Sequence, residues 1–296
     1  MVEHFAGCCK GLHKAKRLIS GFLIAVITIG TICCAFSETS LSAIAYNHLS
    51  AILLMDGENG EVLYAENEKV EMEIASTTKI LTAVTVIENS DIFLKTEIPR
   101  EAVGVEGSSI YLRMGEKWRV LDLLYGLLLR SGNDAAVTLA VITSGSVPAF
   151  AEKMNETARK AGATSCNFTN PHGLHDGNHH CSAMDLAKIT RYALRCPIFA
   201  EICKTKIHHA EKEVDGKMEK VTFYNKNKLL YSYPDATGVK TGYTKHSGRC
   251  LVSSAERNGR TLICVVLNVY DTYGVTKTLF EKHFSALSAR SEEQIT

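Results

Sequence analysis

The chain has 296 residues, 46% of them hydrophobic and 22% charged, with 33 Lys+Arg against 32 Asp+Glu for a formal net charge of +1. That is an ordinary globular composition, long enough to bury its own core. It supplies no broad positive field, so no nucleic-acid partner is expected.

In chain order, the N-terminus comes first. Lys10, Lys14, Lys16 and Arg17 precede Leu18 to Phe36, a stretch without charge, and Ala43-Ile44-Ala45 follows as a small-residue site. A basic region, an apolar region and such a site make an export signal. The apolar stretch also approaches the ~20 residues that span a bilayer. Residues 1–45 are therefore expected to be a signal peptide or an N-terminal membrane anchor, the latter giving membrane association through that segment. Ile32 before Cys33 argues against a lipoprotein signal. Residues 46–290 are expected to form one extracytoplasmic domain, secreted or held at the membrane.

His48 to Met55 and Glu61 to Ala65 read as strands around Asn59-Gly60, a dipeptide suited to tight hairpin turns. Near the other end, Cys250 to Glu256 and Thr261 to Tyr270 repeat the pattern around Asn258-Gly259. Between these hairpins the apolar spacing is helical over Ser76–Glu88, Leu121–Leu129, Asp134–Ile142, Pro148–Ala161 and Ser182–Leu194. Val275–Ala289 reads as a closing helix, and residues 204–220 as a charged, exposed excursion without strong periodicity. Strands from both ends of the chain with helices between them predict an α/β fold. Cys8, Cys9, Cys33 and Cys34 fall in the export segment, and the other six cysteines are scattered without a C-x-x-C pair. Buried free thiols are the expected reading; the spacing leaves disulfide connectivity open.

Three short motifs carry the chemistry. Ser76-Thr77-Thr78-Lys79 puts a hydroxyl and an amine one helical turn apart. A neutral lysine can take the serine proton, and burial plus a second cation lower a lysine pKa. Ser131-Gly132-Asn133 offers a hydroxyl to relay protons and an amide to hold a peptide group. Lys240-Thr241-Gly242 suits a carboxylate, with Gly242 allowing close approach and Lys240 serving as the second cation for Lys79. S-x-x-K or K-T-G alone is weak; the ordered trio is specific.

With Gly inside the middle motif, the trio resembles the low-molecular-mass penicillin-binding proteins that are serine-type D-alanyl-D-alanine carboxypeptidases. "IASTTKILTAVTVIE" around Ser76, "GSSIYLRMGE" at 107–116, "LLYGLLLRSGNDAAVTLA" at 123–140, "FTNPHGLHD" at 168–176 and "GVKTGYT" at 238–244 are similar to that family, over residues 50–285. The resemblance implies a β-lactamase/transpeptidase-like fold, an antiparallel sheet flanked by helices with an inserted all-helical subdomain. It implies removal of the terminal D-Ala from peptidoglycan stem pentapeptides, with β-lactam antibiotics as inhibitors and a part in cell-wall synthesis and cell shape. Ser76 would be acylated, Lys79 would be its base, and Ser131 would assist proton transfer. Asn133 would orient substrate, and Lys240 and Thr241 would receive its carboxylate beside Gly242. The backbone N–H groups of Ser76 and Tyr243 would form the oxyanion hole. No metal and no cofactor is expected. Many family members continue into a C-terminal β domain; with Thr296 soon after the closing helix, none is expected here.

Other readings are a D,D-endopeptidase acting on crosslinks, a β-lactamase and a non-catalytic penicillin-binding wall protein. The E-x-x-L-N pattern of class A β-lactamases is missing, Glu152-Lys153-Met154-Asn155 being nearest. His172, His175, His179 and His180 with Asp176 and Asp185 suggest a metallopeptidase, but no H-E-x-x-H exists. Surface histidines in a Gly/Asn loop are the expected reading.

Overall fold

A computed structural model describes residues 49–293; the expected export segment lies outside the described residues. Strands β1 (Ala51–Asp56) and β2 (Val62–Glu66) open the fold, followed by the short β3 (Glu71–Met72). A 3-10 turn, Ala75–Thr78, runs directly into α1 (Lys79–Asn89). Next come β4 (Lys95–Glu97), β5 (Lys117–Arg119), α2 (Val120–Leu129), α3 (Asn133–Ser144) and α4 (Val147–Lys160). The short strands β6 (Cys166–Asn167) and β7 (His180–Ser182) precede α5 (Ala183–Leu194) and α6 (Pro197–Lys204). The chain closes with β8 (Ile207–Val214), β9 (Lys217–Tyr224), α7 (Leu229–Ser232), β10 (Ala236–Thr244), β11 (Gly248–Arg257), β12 (Arg260–Leu267) and α8 (Thr272–Glu293).

The main sheet is antiparallel, in the order β10-β11-β12-β1-β2, so strands from both ends of the domain lie side by side as the sequence predicts. All six residues of β1 are buried. Ala51, Leu53 and Met55 face the core beneath the helices, while Ile52 and Leu54 pack with Leu279, Phe280 and Phe284 of α8. Burial on both faces is why β1 reads as a continuous apolar run rather than an alternation. Each such leucine or isoleucine contributes roughly 1.5–3 kcal/mol.

The two Asn-Gly turns differ. Asn258 and Gly259 both take left-handed φ, 53° and 72°, and make the expected two-residue turn. In the first hairpin only Gly60 is left-handed. The Asp56 carboxylate accepts from the backbone N–H of Glu58 and Asn59 at 2.8 and 3.1 Å, which holds the loop in a wider form.

The inserted helices carry two small sheets as well, β3-β7-β6 and β4-β5-β8-β9. Residues 204–220 are exposed as expected, but they are regular: β8 and β9 form a hairpin turning at Asp215-Gly216, with φ of 49° and 75°. Both faces of much of this hairpin meet solvent, so no apolar alternation marks it in the sequence. Two helix starts are capped by serines. Ser146 and Ser182 accept from the N–H groups of Ala149 and Asp185 at the starts of α4 and α5.

Candidate active site

Ser76 sits in the 3-10 turn ahead of α1, a tighter start than the expected helix. Ile74 is fully buried and anchors the turn. Ala75 is held at φ 47°, a left-handed conformation costing an L-residue about 1–3 kcal/mol. Side chains brace it. Thr77 Oγ1 donates to the Ile74 carbonyl at 2.6 Å and Thr78 Oγ1 to the Ala75 carbonyl at 2.8 Å. Thr169 N–H donates to His179 Nδ1, so the His179 proton lies on Nε2 and is donated to Thr78 Oγ1 at 2.8 Å. Burial pushes the His179 pKa down to about 4 and keeps the ring neutral.

Lys79 is fully buried. Its Nζ lies 2.9 Å from Ser76 Oγ, 2.7 Å from Asn133 Oδ1 and 2.6 Å from the carbonyl oxygen of His172. Burial first, then the charges of Lys240 and Lys226, hold its pKa well below the usual lysine range; Asp134 opposes them. The role expected of Lys240 as second cation is thus present, and Lys226 joins it.

Asn133 opens α3 and is almost fully buried. Its Oδ1 accepts from Lys79 and its Nδ2 donates to the Glu106 carbonyl at 2.6 Å, while its backbone N–H donates to Ser108. Gly107 at φ 91° lets that loop approach, since a Cβ there would stand 2.7 Å from Asn133 Nδ2. The neighbouring Asp134 carboxylate receives Ser109 Oγ and the N–H groups of Ile110 and Leu112, wrapping the loop over the start of α3. Ser131 is buried and left-handed at φ 64°, two residues before Asn133.

Strand β10 is an edge strand beside the Ser76 turn. A Cβ on Gly242 would stand 3.1 Å from the Ile74 oxygen and 3.2 Å from Ser76 N, so the glycine lets the strand pass against the Ser76 backbone. Lys240 is buried and donates to the Thr241 carbonyl at 2.8 Å. Burial, then Lys226, push its pKa down to about 7. Thr241 is half-buried and Tyr243 exposed.

Ser76, Lys79, Asn133 and Gly242 therefore come together, with Lys240 close enough to act electrostatically on Lys79. Sequence reasoning missed the segment 170–174 as a support for Lys79. Asn170 Oδ1 accepts from Gly173 N–H at 2.7 Å and turns the loop so that the His172 carbonyl meets Lys79. Gly173, at φ 82°, packs so closely that a Cβ would fall 1.9 Å from the Ala75 oxygen. The expected reading of the histidines as surface residues holds for the exposed His175 but needs correction at His179 and His172. His179 is buried and His172 largely so, with its pKa pushed down to about 3 by burial and Lys79. Only a backbone carbonyl speaks for His172, and no side-chain pattern signals that.

Fold and Ser–Lys pair together define a penicillin-binding serine hydrolase. The chain belongs to the D-alanyl-D-alanine carboxypeptidase family, peptidase family S11, whose model matches residues 38–271. It is 34% identical over 259 residues to D-alanyl-D-alanine carboxypeptidase DacF of Bacillus subtilis, an alignment covering 85% of this chain and 66% of that protein. It is also 34% identical to the D-alanyl-D-alanine carboxypeptidase of Streptomyces strain K15, covering 86% of this chain and 90% of that one. The chain thus spans about two thirds of the Bacillus relative and most of the Streptomyces one. The crystal structure of the Streptomyces K15 DD-transpeptidase is similar at a TM-score of 0.70 and 34% identity, covering 73% of this chain and 88% of that chain. A penicillin-binding protein homolog from Mycobacterium tuberculosis gives a TM-score of 0.74 at 32% identity, covering 79% of this chain and 90% of that chain.

Proposed function

We propose that this chain removes the terminal D-Ala from peptidoglycan stem pentapeptides through an acyl-Ser76 intermediate. One observation carries the reading: the surroundings of the Lys79 amine. Two of its three partners, Asn133 Oδ1 and the His172 oxygen, are carbonyl oxygens that only accept. A neutral amine has two N–H groups and one lone pair. The carbonyls take the two N–H groups, and the lone pair is left facing Ser76 Oγ at 2.9 Å. Buried beside two other cations, the amine loses its proton easily.

Ser76 Oγ then attacks the carbonyl carbon of the penultimate D-Ala while its proton passes to Lys79. The oxyanion is received by the backbone N–H groups of Ser76 and Tyr243. The C–N bond breaks, and the proton reaches the departing D-Ala amine by way of Lys79 and Ser131. Water repeats the sequence to release the shortened peptide. Asn133 orients the substrate amide; Lys240 and Thr241 hold the terminal carboxylate. β-Lactams acylate the same serine. Residues 1–45 export the domain to the outer side of the membrane, as signal peptide or anchor.

The full chain incubated with a stem pentapeptide should yield a product lighter by one D-Ala, read by mass spectrometry. An unchanged pentapeptide under conditions where penicillin still acylates Ser76 sinks the carboxypeptidase reading. Transfer of the acyl group to an amine is the second reading, favoured by the name DD-transpeptidase of the Streptomyces relative. Adding an acceptor amine such as glycine separates the two, since transfer gives a product carrying that amine.

A further inference from the structure

Glu73, His175 and His246 stand outside the machinery described above and come together at its border. His175 Nδ1 is 2.8 Å from Glu73 Oε1. The imidazoles of His175 and His246 lie nearly parallel, 8° apart in plane with centroids separated by 4.0 Å. One ligand atom from each of the three lies within 4.8 Å of the others. We propose that these three side chains form a zinc site that clips together three segments of the catalytic cleft.

The chemistry of the donors supports a borderline divalent ion. Two imidazoles and one carboxylate with a fourth position open to water is a common tetrahedral zinc set, with Zn–N near 2.0–2.1 Å. Tetrahedral geometry at those bond lengths needs ligand atoms about 3.3 Å apart. The Glu73–His175 pair is already closer than that, and the exposed His175 and His246 rings have room to adjust.

The backbone around each donor is held. Glu73 lies between Met72, paired to Cys181 in β3-β7, and the buried Ile74. His175 follows Leu174, whose carbonyl accepts from Asn170 Nδ2 and whose N–H donates to His172 Nδ1. His246 is the middle residue of the three-residue β10–β11 loop. There Thr244 N–H donates to Ser247 Oγ at 3.0 Å and Ser247 N–H to Thr244 Oγ1 at 2.9 Å. Fixed donors lower the ordering cost of binding.

Each donor belongs to a segment that also carries a catalytic part. Glu73 is three residues before Ser76, His175 three after the His172 carbonyl that receives Lys79, and His246 three after Tyr243. An ion there ties the nucleophile turn, the lysine-holding loop and the carboxylate-binding strand to one another. Its role is structural, and none of the three side chains touches the reacting groups.

The test uses the full chain with Co2+ and Zn2+ as probes. Co2+ should bind one equivalent in the low micromolar range with the visible band of a tetrahedral ion and no near-ultraviolet thiolate band. Zn2+ should displace it and raise the melting temperature by several degrees. His246→Ala and His175→Ala, both at exposed positions, should weaken binding at least about tenfold and lose the thermal shift. No tetrahedral band at about 100 μM Co2+ overturns the proposal. So does a band that persists unchanged in both variants, or one with thiolate character that places the ion on cysteines.

Discussion

The Lys79 amine donates to the backbone carbonyl of His172 at 2.6 Å, across 93 positions of sequence. That bond and the one to Asn133 hold the amine beside Ser76, and the proposed role of Lys79 as base rests on that orientation. A substitution that keeps the charge but changes the geometry or the pKa should show it.

Lys79→Arg is the first such change. A guanidinium stays protonated and cannot act as the base. Acylation by labelled penicillin should fall by about 10²–10⁴-fold while the fold is retained. Circular dichroism with a labelling time course checks both, and wild-type rates in the variant would remove Lys79 from the role.

Ser76→Ala should abolish labelling altogether. Ser76 Oγ is the hydroxyl next to the Lys79 amine, 2.9 Å away. Peptide mapping of the wild-type adduct should find it on the peptide containing Ser76; an adduct on Ser131 or elsewhere would contradict the assignment.

Asn133→Asp places a carboxylate 2.7 Å from the Lys79 amine in a buried site. An opposite charge favours the ammonium form and raises the lysine pKa. Acylation should drop at neutral pH, and its rising limb should move to higher pH. Asn133→Ala, which adds no charge, should lower the rate without that displacement.

Lys240 makes a prediction about pH. Its pKa is pushed down to about 7 in the free protein, and only the ammonium binds a carboxylate well. The kcat/KM for a free-acid peptide should therefore fall as pH rises through about 7. The bound carboxylate raises the Lys240 pKa, so the fall in kcat should come at higher pH. An amidated peptide, with no charge to meet Lys240, should react about ten- to a hundred-fold more slowly. Equal rates on the two peptides would end the carboxylate role.

The same burial acts on stability. The folded pKa of Lys240 lies below the unfolded value, so between about pH 7 and 10 the unfolded chain binds more protons. Stability from this group is lowest below pH 7 and climbs as pH rises. Lys240→Met removes the buried cation and should raise the urea midpoint at pH 6 relative to wild type, with a smaller gain at pH 9. A variant less stable than wild type at both pH values would contradict this account.

Residue spacing by itself determined the sheet built from both ends of the domain and the helices between. It also determined the order of Ser76-Lys79, Ser131-Asn133 and Lys240-Thr241-Gly242. Apolar periodicity and Gly-containing turns are local signals, and S-x-x-K is a single helical turn, so all of these survive in one dimension. Tertiary structure alone decided the rest. The His172 carbonyl has no side-chain signature, the lowered pKa of Lys79 needs burial with Lys240 and Lys226 beside it, and Gly242 is required by the approach of β10 to the backbone of Ser76. His179 and His175 read alike in sequence, yet one is buried bracing Ala75 through Thr78 and the other stacks on His246 in solvent. Distances between segments far apart in the chain and the exclusion of water set these roles, and neither is written in local pattern.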